Sequence, residues 1–190
     1  MNAPSAKQQI IVSGVGGQGI LFLTRLLAET AIYKGLPVLT AETHGMAQRG
    51  GVVVSHLKIG GFSSPLIRPA RADVLLLLKE ENLQNHVYYL KPGGIVVVNA
   101  PSRPQMTGDG KLLWIDAASL AKVADHPKAV NMILVGFAIS SLSRLDKQPF
   151  CSPDDIMAVL HQKLAVREKL LKSILSAFEV GLARGEVVNI

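Results

Sequence analysis

Short apolar runs alternate along this chain with segments in which apolar residues recur at every third or fourth position. The runs are typical of buried strands, and the recurring pattern is typical of helices that pack through one side. Strands are predicted at residues 9–12, 37–41, 52–59, 73–79, 95–98 and 112–115. Helices are predicted at residues 20–34, 80–90, 131–145, from 152 onward, and 166–183.

This alternation predicts an α/β fold of three layers, Rossmann-like, with a mainly parallel sheet and helices on both faces. Local signals support the helix boundaries. Gly35 is placed to end the first helix, and Ser152 followed by Pro153 is a typical helix start. Since no internal repeat or change of composition divides the chain, residues 1–190 are expected to form a single domain.

The composition is that of a globular protein, with 48% hydrophobic and 18% charged residues. The longest apolar runs, such as residues 74–78, fall far short of the roughly 20 residues that span a membrane, so no membrane segment is expected. The first nine residues lack the apolar stretch of a secretion signal. The single cysteine, Cys151, excludes an internal disulfide and favours a cytoplasmic location.

The formal net charge of +6 and the pI of about 9.6 change this picture modestly. A positive chain suits an anionic ligand or an acidic partner, or is simply a soluble basic protein. Nucleic acid is not expected, because the basic residues are scattered, aromatic residues make up only 5% and no nucleic-acid motif is present.

Two polar loops follow the first two predicted strands and carry most of the candidate chemistry. In the first, Gly14, Gly16 and Gly19 fit G-x-G-x-x-G between a strand and a helix, a pattern whose backbone N–H groups can bind phosphate. Glu42 follows Gly19 by 23 residues (42 minus 19), where a ribose-binding acid would lie in a dinucleotide site. Three interpretations stay open: a dinucleotide, another phosphate-bearing or anionic ligand, and a tight turn for packing or subunit contact. Gln18 is unusually bulky for such a loop.

Other possible sites find less support. Gly108-Asp109-Gly110 is similar to the start of a thiamine diphosphate motif, but only Asn131 follows where a pair of asparagines is needed, so a turn is predicted. The five histidines are scattered and there is one cysteine, so neither a zinc site nor an iron–sulfur site is expected on this chain. Cys151 has no neighbouring base in sequence and is interpreted as an ordinary thiol.

Several strings of residues strongly resemble the gamma-type subunit of 2-oxoacid:ferredoxin oxidoreductases, in particular the small (beta) subunit of the indolepyruvate enzyme. The most specific are residues 14–20 (GVGGQGI), residues 42–51 (ETHGMAQRGG) and Ser55-His56. The similarity continues through residues 64–67, 72–75, 90–94 and 131–136, so it covers nearly the whole chain.

The resemblance implies a non-autonomous subunit. Such enzymes decarboxylate a 2-oxoacid on thiamine diphosphate, pass electrons through iron–sulfur clusters to ferredoxin and release an acyl-coenzyme A. The thiamine diphosphate, its magnesium ion and the clusters are expected on a large partner subunit, with none bound by this chain alone. This chain is expected to enclose the active site and to handle coenzyme A as co-substrate.

The candidate site residues lie in or beside the two loops. His44 and Arg49 are the catalytic candidates. The ligand-binding candidates are Gly14, Gly16, Gly17, Gln18, Gly19, Gln48, Arg49 and Ser55. Two other functions stay open: a free-standing dinucleotide-binding oxidoreductase, and a pure assembly module whose loops only contact another subunit.

Overall fold

A computed structural model describes residues 7–44, 51–124, 126, 129–145 and 147–186, with the backbone only for residues 44 and 186. The strands are β1 (Gln8–Val15), β2 (Val38–His44), β3 (Val52–Ile59), β4 (Ala72–Leu77), β5 (Leu90–Asn99) and β6 (Lys111–Ile115). The helices are α1 (Ile20–Tyr33), α2 (Asn82–His86), α3 (Ala117–Val123), α4 (Val130–Arg144), α5 (Pro153–Lys163) and α6 (Glu168–Glu186), and Val87–Tyr89 forms a 3-10 turn. None of the described helices is long and apolar enough to cross a membrane.

The described strands form one six-stranded sheet in the order β2-β3-β1-β4-β5-β6. β3 runs antiparallel to both of its neighbours, while β1, β4, β5 and β6 pair in parallel. The predicted α/β fold with a mainly parallel sheet is confirmed. β3 is the exception because only a short loop joins it to β2, and a parallel pair needs a longer crossover connection.

One face of the sheet, called here the first face, is covered by α1 and by the helices from α3 to α6. Its core is apolar, and Leu23, Ile133 and Phe178 are completely buried in it. α4 is apolar nearly all round because it lies between the sheet and α6. Where α4 crosses α6, a Cβ atom on Gly136 would overlap the carbonyl oxygen of Phe178, so the two backbones are in contact.

The opposite face, called here the second face, carries a thinner cover. Its apolar core is smaller and includes Ile11, Leu75 and Val96. The helix predicted at residues 80–90 is only five residues long here. It ends early because the carbonyl groups of Tyr88 and Tyr89 accept hydrogen bonds from the N–H groups of residues 70 and 71. The layer of helices expected on this face is therefore completed by loops.

Two further local predictions can be compared with the structure. Ser152 caps α5 as predicted, since its hydroxyl accepts from the Asp155 N–H and the Asp155 carboxylate accepts from the Ser152 N–H. The sequence Lys91-Pro92-Gly93-Gly94 predicts a turn, but the structure assigns these residues to β5, where the pairing with β4 is irregular. Two consecutive glycines, Gly93 and Gly94, allow such an irregularity without ending the strand.

Candidate functional site

The glycine loop, residues 14–19, lies where β1 ends and α1 begins. Gly17 and Gly19 have φ angles of 92° and 77°, in the left-handed region that side chains other than glycine rarely adopt. The Gln18 N–H donates to the Val15 carbonyl at 3.2 Å and closes the turn. The first N–H groups of α1 have no partner within the helix and are available at this end of the sheet.

The Gln18 side chain is folded inward over the loop. Its Oε1 accepts from the Val15 N–H at 2.8 Å, and its Nε2 donates to the Leu78 carbonyl at 3.3 Å, just beyond β4. A Cβ atom on Gly14 would lie 2.6 Å from Gln18 Oε1, so Gly14 makes room for this side chain. Gln18 thus joins the loop to β4 and shapes the crevice between β1 and β4.

Three asparagine amides complete the rim of this crevice. Asn82 Nδ2 donates to Ser13 Oγ at 3.1 Å, Asn99 Nδ2 to the Leu78 carbonyl at 3.2 Å, and Asn131 Nδ2 to the Gly19 carbonyl at 3.3 Å. These bonds bring the starts of α2 and α4 to the strand ends. Asn99 Oδ1 also accepts from the Ala118 N–H of α3 at 3.1 Å.

Sequence reasoning missed two of these asparagines. Asn82 and Asn99 were not singled out, although an amide directly after the buried run of β5 is a signal for a polar strand end. The sequence points to Asn131 only as the lone asparagine of an incomplete thiamine motif and as part of the family resemblance at residues 131–136. The structure shows that it is 6% exposed and contacts the glycine loop.

The second polar loop begins and ends at the same edge of the sheet. The Gly16 N–H donates to the Gly51 carbonyl at 3.1 Å, so the glycine loop contacts the residue that precedes β3. The backbone of His44 pairs with Val53 at the end of β2. Gln48 and Arg49 lie outside the described residues, and so does the side chain of His44.

Ser55 is placed differently from what a ligand-binding residue requires. It is completely buried in β3, and no described group makes a hydrogen bond with its hydroxyl. It pairs across the sheet with Val12 on one side and Glu42 on the other, away from the glycine loop. Contact between Ser55 and a ligand would need a rearrangement, so its role stays a prediction.

The strand order disfavours the dinucleotide interpretation. In a dinucleotide fold the acidic residue ends the strand that lies next to β1. Here β3 separates β2 from β1, so Glu42 lies two strand spacings, about 9.5 Å, from the strand that carries the glycine loop. Gln18 also occupies space between β1 and β4.

The remaining sequence motifs lie elsewhere. Gly108-Asp109-Gly110 precedes β6 and so lies at the end of the sheet where the parallel strands begin. Asn131 contacts the glycine loop, at the end where those strands finish, so these residues do not form one thiamine site. Cys151 is 3% exposed, and burial together with the nearby Asp155 charge raises the pKa of its thiol to about 12. No three metal-binding side chains cluster among the residues that the structure describes.

An open cavity of about 540 Å³ lies at the end of the sheet where the parallel strands begin, away from the glycine loop. Its lining combines lysines with apolar side chains and includes Lys7, Lys91, Lys147 and Phe150. The Lys91 ammonium group forms an ion pair with Asp73, which also accepts from the Gln9 N–H. Two of the charged groups that line this cavity, Lys91 and Asp73, are therefore already paired with each other.

An α/β domain whose polar loops and helix starts meet at one sheet edge matches a known family. The family model described as pyruvate ferredoxin/flavodoxin oxidoreductase matches residues 9–184, and the chain belongs to this family. It is 31% identical to the indolepyruvate oxidoreductase subunit IorB of Archaeoglobus fulgidus, over 87% of each chain. It is also 31% identical to IorB of Thermococcus kodakarensis, over 91% of this chain and 93% of that one.

Solved structures share the fold. The gamma subunit of a keto/oxoacid ferredoxin oxidoreductase from Geobacter sulfurreducens PCA superimposes with a TM-score of 0.77 at 22% identity, over 95% of this chain and 99% of that one. The 2-oxoglutarate:ferredoxin oxidoreductase of Magnetococcus marinus, with 2-oxoglutarate, coenzyme A and succinyl-CoA bound, gives 0.79 at 23% identity. The match covers 98% of this chain but only 32% of that longer one. The predicted relationship to gamma-type subunits of 2-oxoacid:ferredoxin oxidoreductases is confirmed.

Proposed function

We propose that residues 1–190 form one domain that acts in the cytoplasm as the small subunit of a 2-oxoacid:ferredoxin oxidoreductase, with indolepyruvate or another aryl pyruvate as substrate. The IorB subunits of Archaeoglobus fulgidus and Thermococcus kodakarensis match this chain over 87% or more of both lengths. This coverage supports the proposal that the chain plays the part of the small subunit. Its partner would be a large catalytic subunit, and ferredoxin would receive the electrons from that partner.

The donor set of this chain supports the proposal that the redox cofactors are bound by the partner. Iron–sulfur clusters are held by several thiolates, whereas this chain has one cysteine, and its thiol is buried and stays protonated near neutral pH. The Asp109 turn lies where the parallel strands begin and Asn131 lies where they finish, so these residues do not fit a thiamine diphosphate site. Thiamine diphosphate, magnesium and the clusters would all belong to the large subunit.

Coenzyme A is the ligand proposed for the crevice of this chain, and the glycine loop is the observation that carries this part. The loop presents backbone N–H groups at the start of α1, where an anion is favoured. No described atom lies within 4 Å of the position that a Cβ on Gly17 would take, so the approach to the loop is open there. The net charge of +6 suits the phosphates of coenzyme A.

The adjoining loop supplies the remaining candidates. Gln48 and Arg49 follow β2 in sequence, and Arg49 could bind a phosphate or carboxylate through two parallel hydrogen bonds. His44, at the end of β2, is the second catalytic candidate beside Arg49. These roles rest on sequence position and on the resemblance.

A pure assembly module is the second candidate, and one observation favours it. The Gly16 N–H and both ends of the Gln18 amide are engaged within the chain, so part of the loop serves its own structure. In that case the crevice would contact the large subunit, and coenzyme A would bind only to that subunit.

Reconstitution tests the proposed function. A candidate large subunit from the same organism should be purified with and without this chain and assayed with indolepyruvate, coenzyme A and oxidised ferredoxin. We expect co-purification, and we expect acyl-coenzyme A formation and ferredoxin reduction only in the complex. Full activity of the large subunit alone, or nicotinamide-dependent activity of this chain alone, would contradict the proposal.

A further inference from the structure

The second face carries a lysine whose side chain is mostly covered and which has no acidic partner among the described residues. Lys58 lies in β3 and exposes only 8% of its surface. Its Nζ lies 5.2 Å from the ring centre of Phe62, and the Lys7 ammonium group lies 5.8 Å from the same ring. Burial and the nearby Arg68 charge both lower the pKa of Lys58, so the structure places cations together here.

The described carboxylates do not form ion pairs with the two cations nearest Phe62 or with Arg68 on this face. Among the residues that the structure describes, none forms an ion pair with Lys58 or Arg68. Asp73, on β4, is already bonded to Lys91 and to the Gln9 N–H. The stem of Lys58 is covered while cations lie near its ammonium group, so an acidic group supplied by a partner would offset the repulsion among these cations.

Two exposed side chains lie on or against the segment that carries Arg68: Leu66 precedes Arg68 by two residues, and Tyr88 is bonded to Ala70, which follows Arg68 by two. Leu66 and Tyr88 expose 51% and 53% of their surfaces. They are held in place by their neighbours, because the Ile67 N–H donates to His56 Nδ1 at 3.2 Å and the Ala70 N–H donates to the Tyr88 carbonyl at 2.9 Å. The cations and these apolar groups form a basic–aromatic patch, comprising Lys7, Lys58, Phe62, Leu66, Arg68 and Tyr88.

We propose that the basic–aromatic patch is the surface through which this chain docks onto an acidic segment of its large partner subunit. The inference rests on the proposed function, which requires such a partner. Arginine and tyrosine beside apolar side chains are enriched in the centres of protein interfaces. A small anion would contact the cations and leave Leu66 and Tyr88 in water, whereas a protein surface covers both kinds of group.

Charge reversal at an exposed position of the patch is the sharpest test. Arg68→Glu changes the charge by the same amount as Lys169→Glu, an exposed substitution on α6 at the other side of the molecule. Leu66→Asp is matched by Val166→Asp, where the valine is 93% exposed. All four positions are accessible, so each variant is expected to fold, which circular dichroism and thermal unfolding would check.

Affinity for the purified large subunit would be measured by titration calorimetry at two salt concentrations. Arg68→Glu and Leu66→Asp should each weaken binding by about tenfold or more, and Arg68→Glu should also reduce the salt dependence. Lys169→Glu and Val166→Asp should stay within about twofold of the unmodified chain. Equal affinities for the two patch variants and the two controls would overturn the inference.

Two other outcomes have defined meanings. If the unmodified chain does not bind the large subunit, the proposed function fails together with the docking surface. If Arg68→Glu keeps its affinity for the large subunit but raises the Michaelis constant for coenzyme A in the complex, the patch binds a small anion and the docking inference is wrong. A photo-reactive side chain at position 66 should cross-link to an Asp- or Glu-rich peptide of the partner.

Discussion

The two faces of the sheet differ in what they bury. The first face buries apolar side chains beneath long helices, and α4 and α6 approach until their backbones touch at Gly136. The second face buries His56, Lys58 and His86 beneath a short helix and loops. The difference indicates that the first face supplies most of the stability, while the second face presents the charged and aromatic groups of the proposed docking surface.

Buried histidines show how the second face is held. His56 Nδ1 accepts from the Ile67 N–H, and His86 Nδ1 donates to the Asn82 carbonyl at 2.9 Å. The Tyr89 ring lies 5.5 Å from the ring of His56 and 6.4 Å from that of His86, measured between centres. Protonation of His56 at Nδ1 would remove its bond to the Ile67 N–H, so this part of the second face depends on a neutral imidazole.

The largest expected effect comes from breaking the first face. Gly136→Val would force the α4 and α6 backbones apart, because even a Cβ atom overlaps the Phe178 carbonyl oxygen. We expect a loss of about 3 kcal/mol or more in the free energy of unfolding, measured by urea denaturation. Gly61→Ala is the control, since no atom lies within 4 Å of its Cβ position, and it should change stability by less than about 0.5 kcal/mol. Similar stability of both variants would show that the helix contact is not needed.

A smaller loss of stability should come from the second face as the pH falls. Burial first, and then the charges of Lys58 and His86, lower the pKa of His56 below its ordinary value of 6.5. Burial also lowers the pKa of His86, against the opposing effect of its bond to Asn82. The unfolded chain therefore binds more protons than the folded one below about pH 6.5, and stability should be lost as the pH falls through that value.

Urea denaturation at pH 7.5, 6 and 5 would measure this loss. The slope should be at most about 1.4 kcal/mol per pH unit for each histidine. His86→Gln should make the dependence shallower, whereas His161→Gln, at an exposed position on α5, should leave it unchanged. A dependence that is the same in all three proteins would assign the pH response to other groups.

Much of the first face could be predicted from sequence because its signals are local. Apolar spacing marks α1, the Ser152 hydroxyl and its Pro153 neighbour mark the start of α5, and the run before Gly14 marks β1. The second face could not be predicted in the same way. The 3-10 turn at Val87–Tyr89 is stabilised by bonds to residues 70 and 71, which are distant in sequence and carry no local pattern.

The candidate site could be predicted from sequence only where its structure depends on neighbouring residues. The left-handed conformations of Gly17 and Gly19 follow from a glycine pattern between a strand and a helix. The inward fold of Gln18 depends on the Leu78 carbonyl of another strand, and the contact between Asn131 and Gly19 joins residues that are 112 positions apart. Such contacts follow from strand order, which sequence periodicity does not determine.

The most direct test of the account is the kinetic effect of Gly17→Val in the assembled enzyme. Gly108→Val is a matched control, because both glycines have positive φ, 92° and 95°, with no atom within 4 Å of the Cβ position. Both variants therefore carry similar backbone strain, of about 1–2 kcal/mol. If the glycine loop binds coenzyme A, Gly17→Val should raise the Michaelis constant for coenzyme A more than that for the 2-oxoacid, while Gly108→Val raises neither. Unchanged constants in an assembled Gly17→Val complex would contradict the account and assign coenzyme A to the large subunit.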